Sequence, residues 1–171
     1  KIIENEGGPS NSSKLYDFNS DNNSDYVAEN YKNSSVAVKY TQILSKIFNN
    51  DYNYNDYDRA ANLFWPGNKL GHGREDVQEK WNSIKQIFSD IKFTIEHVGF
   101  LEEPGQNPRI SVRWFLEGIH SKGSNDYGEA SNKKIFIMGI NHAEFNSESI
   151  VREWVLFDEV AIWKQILLNH G

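Results

Sequence analysis

Residues 135–157 read IFIMGINHAEFNSESIVREWVLF, and this stretch decides the fold. From Ile135 to Phe145 both sides of a two-residue repeat are apolar, which predicts a central strand. Asn146-Ser147-Glu148-Ser149 is a polar turn, and Ile150 to Phe157 predicts the last strand. Glu159 to Leu168 then predicts a short closing helix. Working upstream, Ile110, Val112, Trp114 and Leu116 alternate with Ser111, Arg113 and Glu117, and a glycine-bearing loop over 122–132 leads on to Ile135. Before them, Ile91, Phe93 and Ile95 alternate with Lys92, Thr94 and Glu96, closed by the loop Glu103-Pro104-Gly105-Gln106-Asn107-Pro108. Four long consecutive strands predict an antiparallel meander, and the interior glycines Gly118 and Gly139 predict strong curvature.

The period changes in the first half of the chain. Val36, Tyr40, Ile43, Leu44, Ile47 and Phe48 recur at helical spacing, with Ser34 or Ser35 as N-cap. A short second helix is expected around 56–63, then a loop over Phe64-Trp65-Pro66-Gly67-Asn68. A third helix is expected over 74–88, with Val77, Trp81, Ile84 and Phe88 as its apolar stripe. Helices followed by strands predict an α+β domain, three helices packed on a bent antiparallel sheet that encloses a pocket. Ser, Asn and Asp fill most of residues 10–35, a composition that cannot offset its chain entropy by burial. The chain therefore divides into a polar tether over 1–34 and a domain over 35–171. The N-x-Ser sequons at Asn11, Asn22 and Asn33 fall in that Asn/Ser-rich region, where chance accounts for them.

Composition narrows the function. A chain of 171 residues is one domain's worth. It carries 18 Lys and Arg against 24 Asp and Glu, a formal charge of -6, which argues against nucleic acid as a partner. No apolar run approaches the ~20 residues of a membrane span. The absence of cysteine excludes disulfides, thiolate catalysis and Cys-bound metal. The sequence opens at Lys1 and carries a polar spacer, so the expectation is an exported or lipid-tethered protein whose signal segment has been removed, or else a trimmed cytoplasmic one.

Several short motifs then point to a family. Arg113-Trp114-Phe115-Leu116-Glu117-Gly118-Ile119-His120 resembles the RW-x-L-x-G-x-H strand of SnoaL-like polyketide cyclases, in the nuclear transport factor 2-like (NTF2-like) superfamily. Tyr127-Gly128, Ile137-Met138-Gly139-Ile140-Asn141-His142 and Gly73-Arg74-Glu75-Asp76-Val77 are similar to that family's YG, IMGISH and GREAV segments. Ile150 to Glu159 is similar to IVEEWTVFDE, and Gln165 falls where the closing helix carries RQ. The sequence departs from the family at Ala130-Ser131-Asn132-Lys133, at Asn146 to Ile150 and at Asn141, which replaces the serine before the histidine. The resemblance covers about residues 36–168. It implies an NTF2-like cone, a homodimer formed through the outer face of the sheet, and intramolecular aldol-type ring closure of an apolar, ketone-bearing small molecule without cofactor or metal. The same scaffold hosts isomerases, dehydratases, epoxide hydrolases and non-catalytic binding domains, so a binding domain is the alternative.

Asp158 occupies, by that resemblance, the position of the acid/base aspartate. Burial beside Trp154 and Leu156 would raise its pKa toward the range where one carboxyl both takes and returns a proton. The other reading of Asp158 is an N-cap of the closing helix. His142 is the expected partner, within reach of Asp158 directly or through water, and is otherwise a hydrogen-bonded core residue. Trp114, His120, Met138 and Trp154 are expected to line the pocket, with Trp65 at its mouth and Tyr127 on a lid. His142, Glu144 and Asp158 do not make a metal site, because His-x-Glu on one strand is an unspecific spacing and the family needs no metal.

Overall fold

A computed structural model describes residues 29–49 and 51–168. Most of the expected tether, residues 1–28, lies outside them. Its last residues form a 3-10 turn, Glu29–Asn33, and Tyr31 already packs against the core. Helix α1 (Ser35–Phe48) begins at Ser34, whose hydroxyl accepts from the Ala37 amide at 3.0 Å. Its buried face is Tyr40, Ile43, Leu44, Ile47 and Phe48, the stripe read from the sequence.

The expected second helix is absent. Residues Tyr57–Trp65 form strand β1, which pairs with the short strand β2 (Lys69–His72). Ala61, Leu63 and Trp65 are buried in strict alternation, but a register shift between Tyr57 and Asn62 hides the period at the strand's start. The alanines of Asp58-Arg59-Ala60-Ala61 then read as helix former rather than as bulged strand. Helix α2 (Gly73–Lys85) follows and buries Val77, Trp81 and Ile84; it stops three residues short of the expected end, and Phe88 opens the next strand.

Strands β3 (Phe88–Leu101), β4 (Arg109–His120), β5 (Lys134–Phe145) and β6 (Ile150–Phe157) are the expected meander, closed by helix α3 (Glu159–Leu168). All six strands lie in one sheet in the order β2-β1-β6-β5-β4-β3. The sheet is mixed rather than wholly antiparallel, because β1 runs parallel to β6. That pairing covers the edge β6 would otherwise expose at the end of the meander. The sheet bends around α1 and α2 without closing, giving the α+β, NTF2-like cone. Its concave side holds Trp81, Trp114, Tyr40, Tyr57 and Phe145, all essentially inaccessible to solvent.

Candidate functional site

Strand β6 carries Glu153 at the middle of the sheet, opposite Ala143 of β5 on one side and Leu63 of β1 on the other. Val155 and Phe157 share its parity and face the concave side. The carboxylate is therefore driven into the core, where only 1% of the residue is accessible. Four elements send a donor to it. Tyr40 of α1 donates at 2.5 Å, Tyr57 of β1 at 2.8 Å, Asn141 Nδ2 of β5 at 2.9 Å and Trp81 Nε1 of α2 at 3.4 Å. Asn141 is itself held by Trp114 of β4, whose Nε1 donates to Oδ1 at 2.7 Å.

All four donors are neutral, so the carboxylate is solvated by dipoles without a counter-charge. Burial pushes the Glu153 carboxyl up from its ordinary value, and the four hydrogen bonds pull back only part of the way. Burial and the Glu153 charge push the hydroxyls of Tyr40 and Tyr57 well above their ordinary value. When the carboxyl takes a proton, either phenol can rotate from donor to acceptor, so the cluster accommodates both protonation states. Beside it, Tyr54 sits at φ 61° with its ring 6.0 Å from that of Tyr57. Its hydroxyl is buried and has no hydrogen-bond partner among the described residues. An aromatic wall continues from the cluster: Trp65 packs edge-on to Trp81 at 5.1 Å and to Phe157 at 5.4 Å, and Phe48 stacks on Phe93 at 4.2 Å.

The residues picked from the sequence are divided by the sheet. Trp114, His120 and Trp65 face the concave side; Trp65 is a core residue and not an exposed loop tryptophan at the mouth. His142, Met138 and Trp154 are on the convex side. His142 is half-buried, accepts or donates to Ser111 at 3.1 Å and meets the edge of Trp154, which in turn stacks on Phe64 at 5.1 Å. Tyr127 is buried in the loop before β5, 6.2 Å from the ring of Trp163, and is not an open lid.

Asp158 is exposed, and its Oδ1 accepts from the Ala161 amide at 2.9 Å, which makes it the N-cap of α3. The expected placement of Asp158 in an aromatic cavity within reach of His142 is therefore corrected. His142 lies opposite Trp154, four residues or roughly 13 Å before Asp158 along the strand. The physical reason is parity. Trp154, Leu156 and Asp158 do share a side, but it is the side away from the helices. The signal for Glu153 was in the sequence: Val155 and Phe157 at its parity, and the odd-numbered apolar series Ile135, Ile137, Ala143 and Phe145 that brackets Asn141. Among the described residues no group of three or more His, Asp or Glu side chains is placed to hold a metal ion.

The family model for SnoaL-like polyketide cyclases matches residues 42–166, from within α1 to within α3. The chain belongs to that family. Membership supports a small-molecule cyclase or isomerase in general. Solved structures show the same fold at low identity. A candidate SnoaL-like polyketide cyclase from Jannaschia sp. CCS1 aligns over 78% of this chain and 94% of its own, at 11% identity and a TM-score of 0.60. A candidate polyketide cyclase from Acidithiobacillus ferrooxidans aligns over 78% and 95%, at 18% identity and 0.59. IdmH of Streptomyces antibioticus, also a candidate polyketide cyclase, aligns over 76% and 97%, at 16% identity and 0.59. No curated protein matches the chain. Among the described residues no helix is long and apolar enough to cross a membrane.

Proposed function

We propose that this SnoaL-like protein carries out acid/base chemistry on an apolar, ketone-bearing small molecule, of the intramolecular aldol type, with Glu153 in the role that the sequence reading gave to Asp158. The observation that carries this reading is the buried Glu153 carboxyl, raised by desolvation and surrounded by neutral donors. Such a group removes a proton from the carbon beside a ketone and returns it to the alkoxide formed when the ring closes. Tyr40 and Tyr57 follow each change of protonation by rotating their hydroxyls. The unpartnered Tyr54 hydroxyl, on the same side of the core, supports a polar atom of the ligand being received next to the carboxyl.

The test uses 1-tetralone in deuterated buffer. The wild-type protein is expected to speed deuterium exchange at the carbon beside the carbonyl, followed by NMR. Glu153→Gln, checked as folded by circular dichroism, is expected to reduce this to the rate of buffer. A folded Glu153→Gln that exchanges as fast as wild type overturns the assignment.

One observation favours a second reading, a ligand-binding domain without turnover. Four donors already occupy the four lone-pair directions of an ionised Glu153. Binding of 1-tetralone with no exchange above buffer would establish that reading. Both readings carry a homodimer through the convex face of the sheet. Met138, Ile140, Trp154 and Leu156 support it, since each leaves more than a third of its surface exposed there.

A further inference from the structure

One row of paired residues crosses all six strands on the convex face. It runs from Leu70 of β2 through Phe64 of β1, Trp154 of β6, His142 of β5 and Ser111 of β4 to Gly99 of β3. His142 is the one titratable member of the row. Its Nδ1 meets the Ser111 hydroxyl at 3.1 Å, and its ring stands nearly perpendicular to the Trp154 indole, 5.5 Å away. On one side the next rows are apolar, Ile140 beside Leu156 and then Met138 beside Phe115. On the other side lie Arg109, Glu144 and Arg152. His142 thus joins the uncovered apolar strip to the charged row beyond it.

The carboxylates around this ring are already engaged. Glu144, two residues along β5, accepts from Arg152 of β6 at 3.1 Å and from Asn107 at 2.8 Å. On β4, Ser111 is flanked by Arg109 and Arg113, and Arg113 donates to Glu96 of β3 at 3.0 Å. On β6, Trp154 is flanked by Arg152 and Leu156. Further out, β3 places Gly99 and His97 on this face, and β1 and β2 place Asn62 and His72, which bond each other at 3.0 Å. A proton on His142 therefore adds a positive charge among three arginines, beside a carboxylate that already has two partners. With His142 neutral, the face is an apolar strip bordered by ion pairs closed within the chain: Arg113–Glu96, Arg152–Glu144 and Lys134–Glu117. Such a face suits a second copy of itself, strip against strip, because a two-fold contact must be self-complementary and these ions are already satisfied.

We infer that His142 is a proton switch on the homodimer, which holds while the imidazole is neutral and comes apart when the imidazole is protonated. The inference rests on the homodimer reading above and adds its regulation. Histidine changes charge between about pH 5 and 8. In the monomer the ring is half-buried, and water still reaches it to solvate the cation. Covering the strip removes that water, and burial disfavours the charged form. The dimer therefore binds fewer protons than two monomers do, so association weakens as pH falls. Two imidazoles act in each dimer, one from each copy.

The experiment measures the dimer dissociation constant by sedimentation equilibrium at about pH 7.5 and about pH 5.5, on either side of the histidine range. For wild type the constant is expected to rise on the order of a hundredfold at the lower pH, about tenfold for each imidazole. His142→Gln keeps an uncharged polar group that can bond Ser111, so its dimer should be equally strong at both pH values. His97→Gln and His72→Gln leave the switch in place and should keep the wild-type pH dependence. Linkage is reciprocal, so in wild type the ring protons of His142, followed by NMR, should titrate at lower pH in concentrated, dimeric samples than in dilute, monomeric ones. A wild-type dimer of equal strength at both pH values overturns the inference and leaves the dimer standing. A pH dependence that survives unchanged in a folded, dimeric His142→Gln overturns it as well. A wild type that is monomeric at both pH values refutes the dimer itself, and the inference falls with it. If His142→Gln does not fold or does not dimerise, the wild-type titration decides: a midpoint that ignores concentration overturns the inference.

Discussion

The indole of Trp114 lies across Gly139, its opposite residue on β5, and reaches the Asn141 side chain two positions further on. A Cβ at position 139 would lie 2.1 Å from Cζ2 of that indole. Gly139 is therefore required by close approach, and the Trp114–Asn141 bond in turn orients the amide that donates to Glu153. Gly139→Ala is expected to lower stability by about 2–3 kcal/mol, as overpacking does, visible in the urea midpoint and in tryptophan fluorescence. Gly99→Ala is the control, because nothing lies within 4 Å of a Cβ there. It should change stability by less than about 0.5 kcal/mol.

Removing the carboxyl at the centre should cost more. Glu153→Ala strands the donors of Tyr40, Tyr57, Asn141 and Trp81 in the core, and a loss of about 3 kcal/mol or more is expected. Glu153→Gln keeps one acceptor oxygen and the phenols can turn to accept from its amide, so the expected loss is about 1–2 kcal/mol.

The same residue predicts a pH dependence of definite sign. The native pKa of Glu153 is raised above the reference 4.5, so between 4.5 and the native value the folded state binds more protons than the unfolded one. Stability from this group therefore falls as pH rises through that window. The tyrosines facing it, Tyr40, Tyr52, Tyr54 and Tyr57, are all pushed upward and stay neutral there. The stability of wild type relative to Glu153→Gln should decline as pH is raised above 4.5, measured by urea unfolding at each pH. A flat difference would mean that the carboxyl is not raised.

Strand β4 and helix α1 were legible because their periods hold: Ile110 to Leu116 alternates cleanly, and Val36 to Phe48 keeps one helical face, whereas β3 was read only around Ile91 to Ile95, because register shifts after Ser89 and Ile95 break its period. β1 was not legible, because its bulge after Tyr57 breaks the alternation that Ala61, Leu63 and Trp65 resume. Of the residues around Glu153, Trp114 is the one the motif singled out, and it holds Asn141 in place. Glu153 and Asn141 were missed because a polar residue inside a strand reads as solvent-facing, and only the parity of the whole strand shows that these two face the core. The tyrosines that complete the cluster come from a helix and from the strand taken for a helix, so no spacing in the sequence joins them to Glu153.

The convex face makes its own prediction. Met138 and Ile140 of β5 lie beside Trp154 and Leu156 of β6, and this strip is apolar and uncovered. Ile140→Glu together with Leu156→Lys should leave the monomer fold intact and abolish self-association. Light scattering at micromolar concentration is expected to give twice the monomer mass for wild type and the monomer mass for the double variant. A monomeric wild type would refute the dimer.

Asp158 separates a cap from a proton carrier. As the N-cap of α3 it satisfies the Ala161 amide and places a negative charge at the positive end of that helix. Asn accepts the same hydrogen bond, so Asp158→Asn should change stability by only a few tenths of a kcal/mol, whereas Asp158→Ala should cost about 1 kcal/mol. Neither should alter deuterium exchange into 1-tetralone, because the carboxylate is exposed and points away from the concave core. The pair of results is informative only together with Glu153→Gln. If exchange is lost in Glu153→Gln and kept in Asp158→Asn, the proton passes through the buried carboxyl of β6. If it is lost in Asp158→Asn at unchanged stability, the exposed cap carries the chemistry and the assignment to Glu153 is wrong.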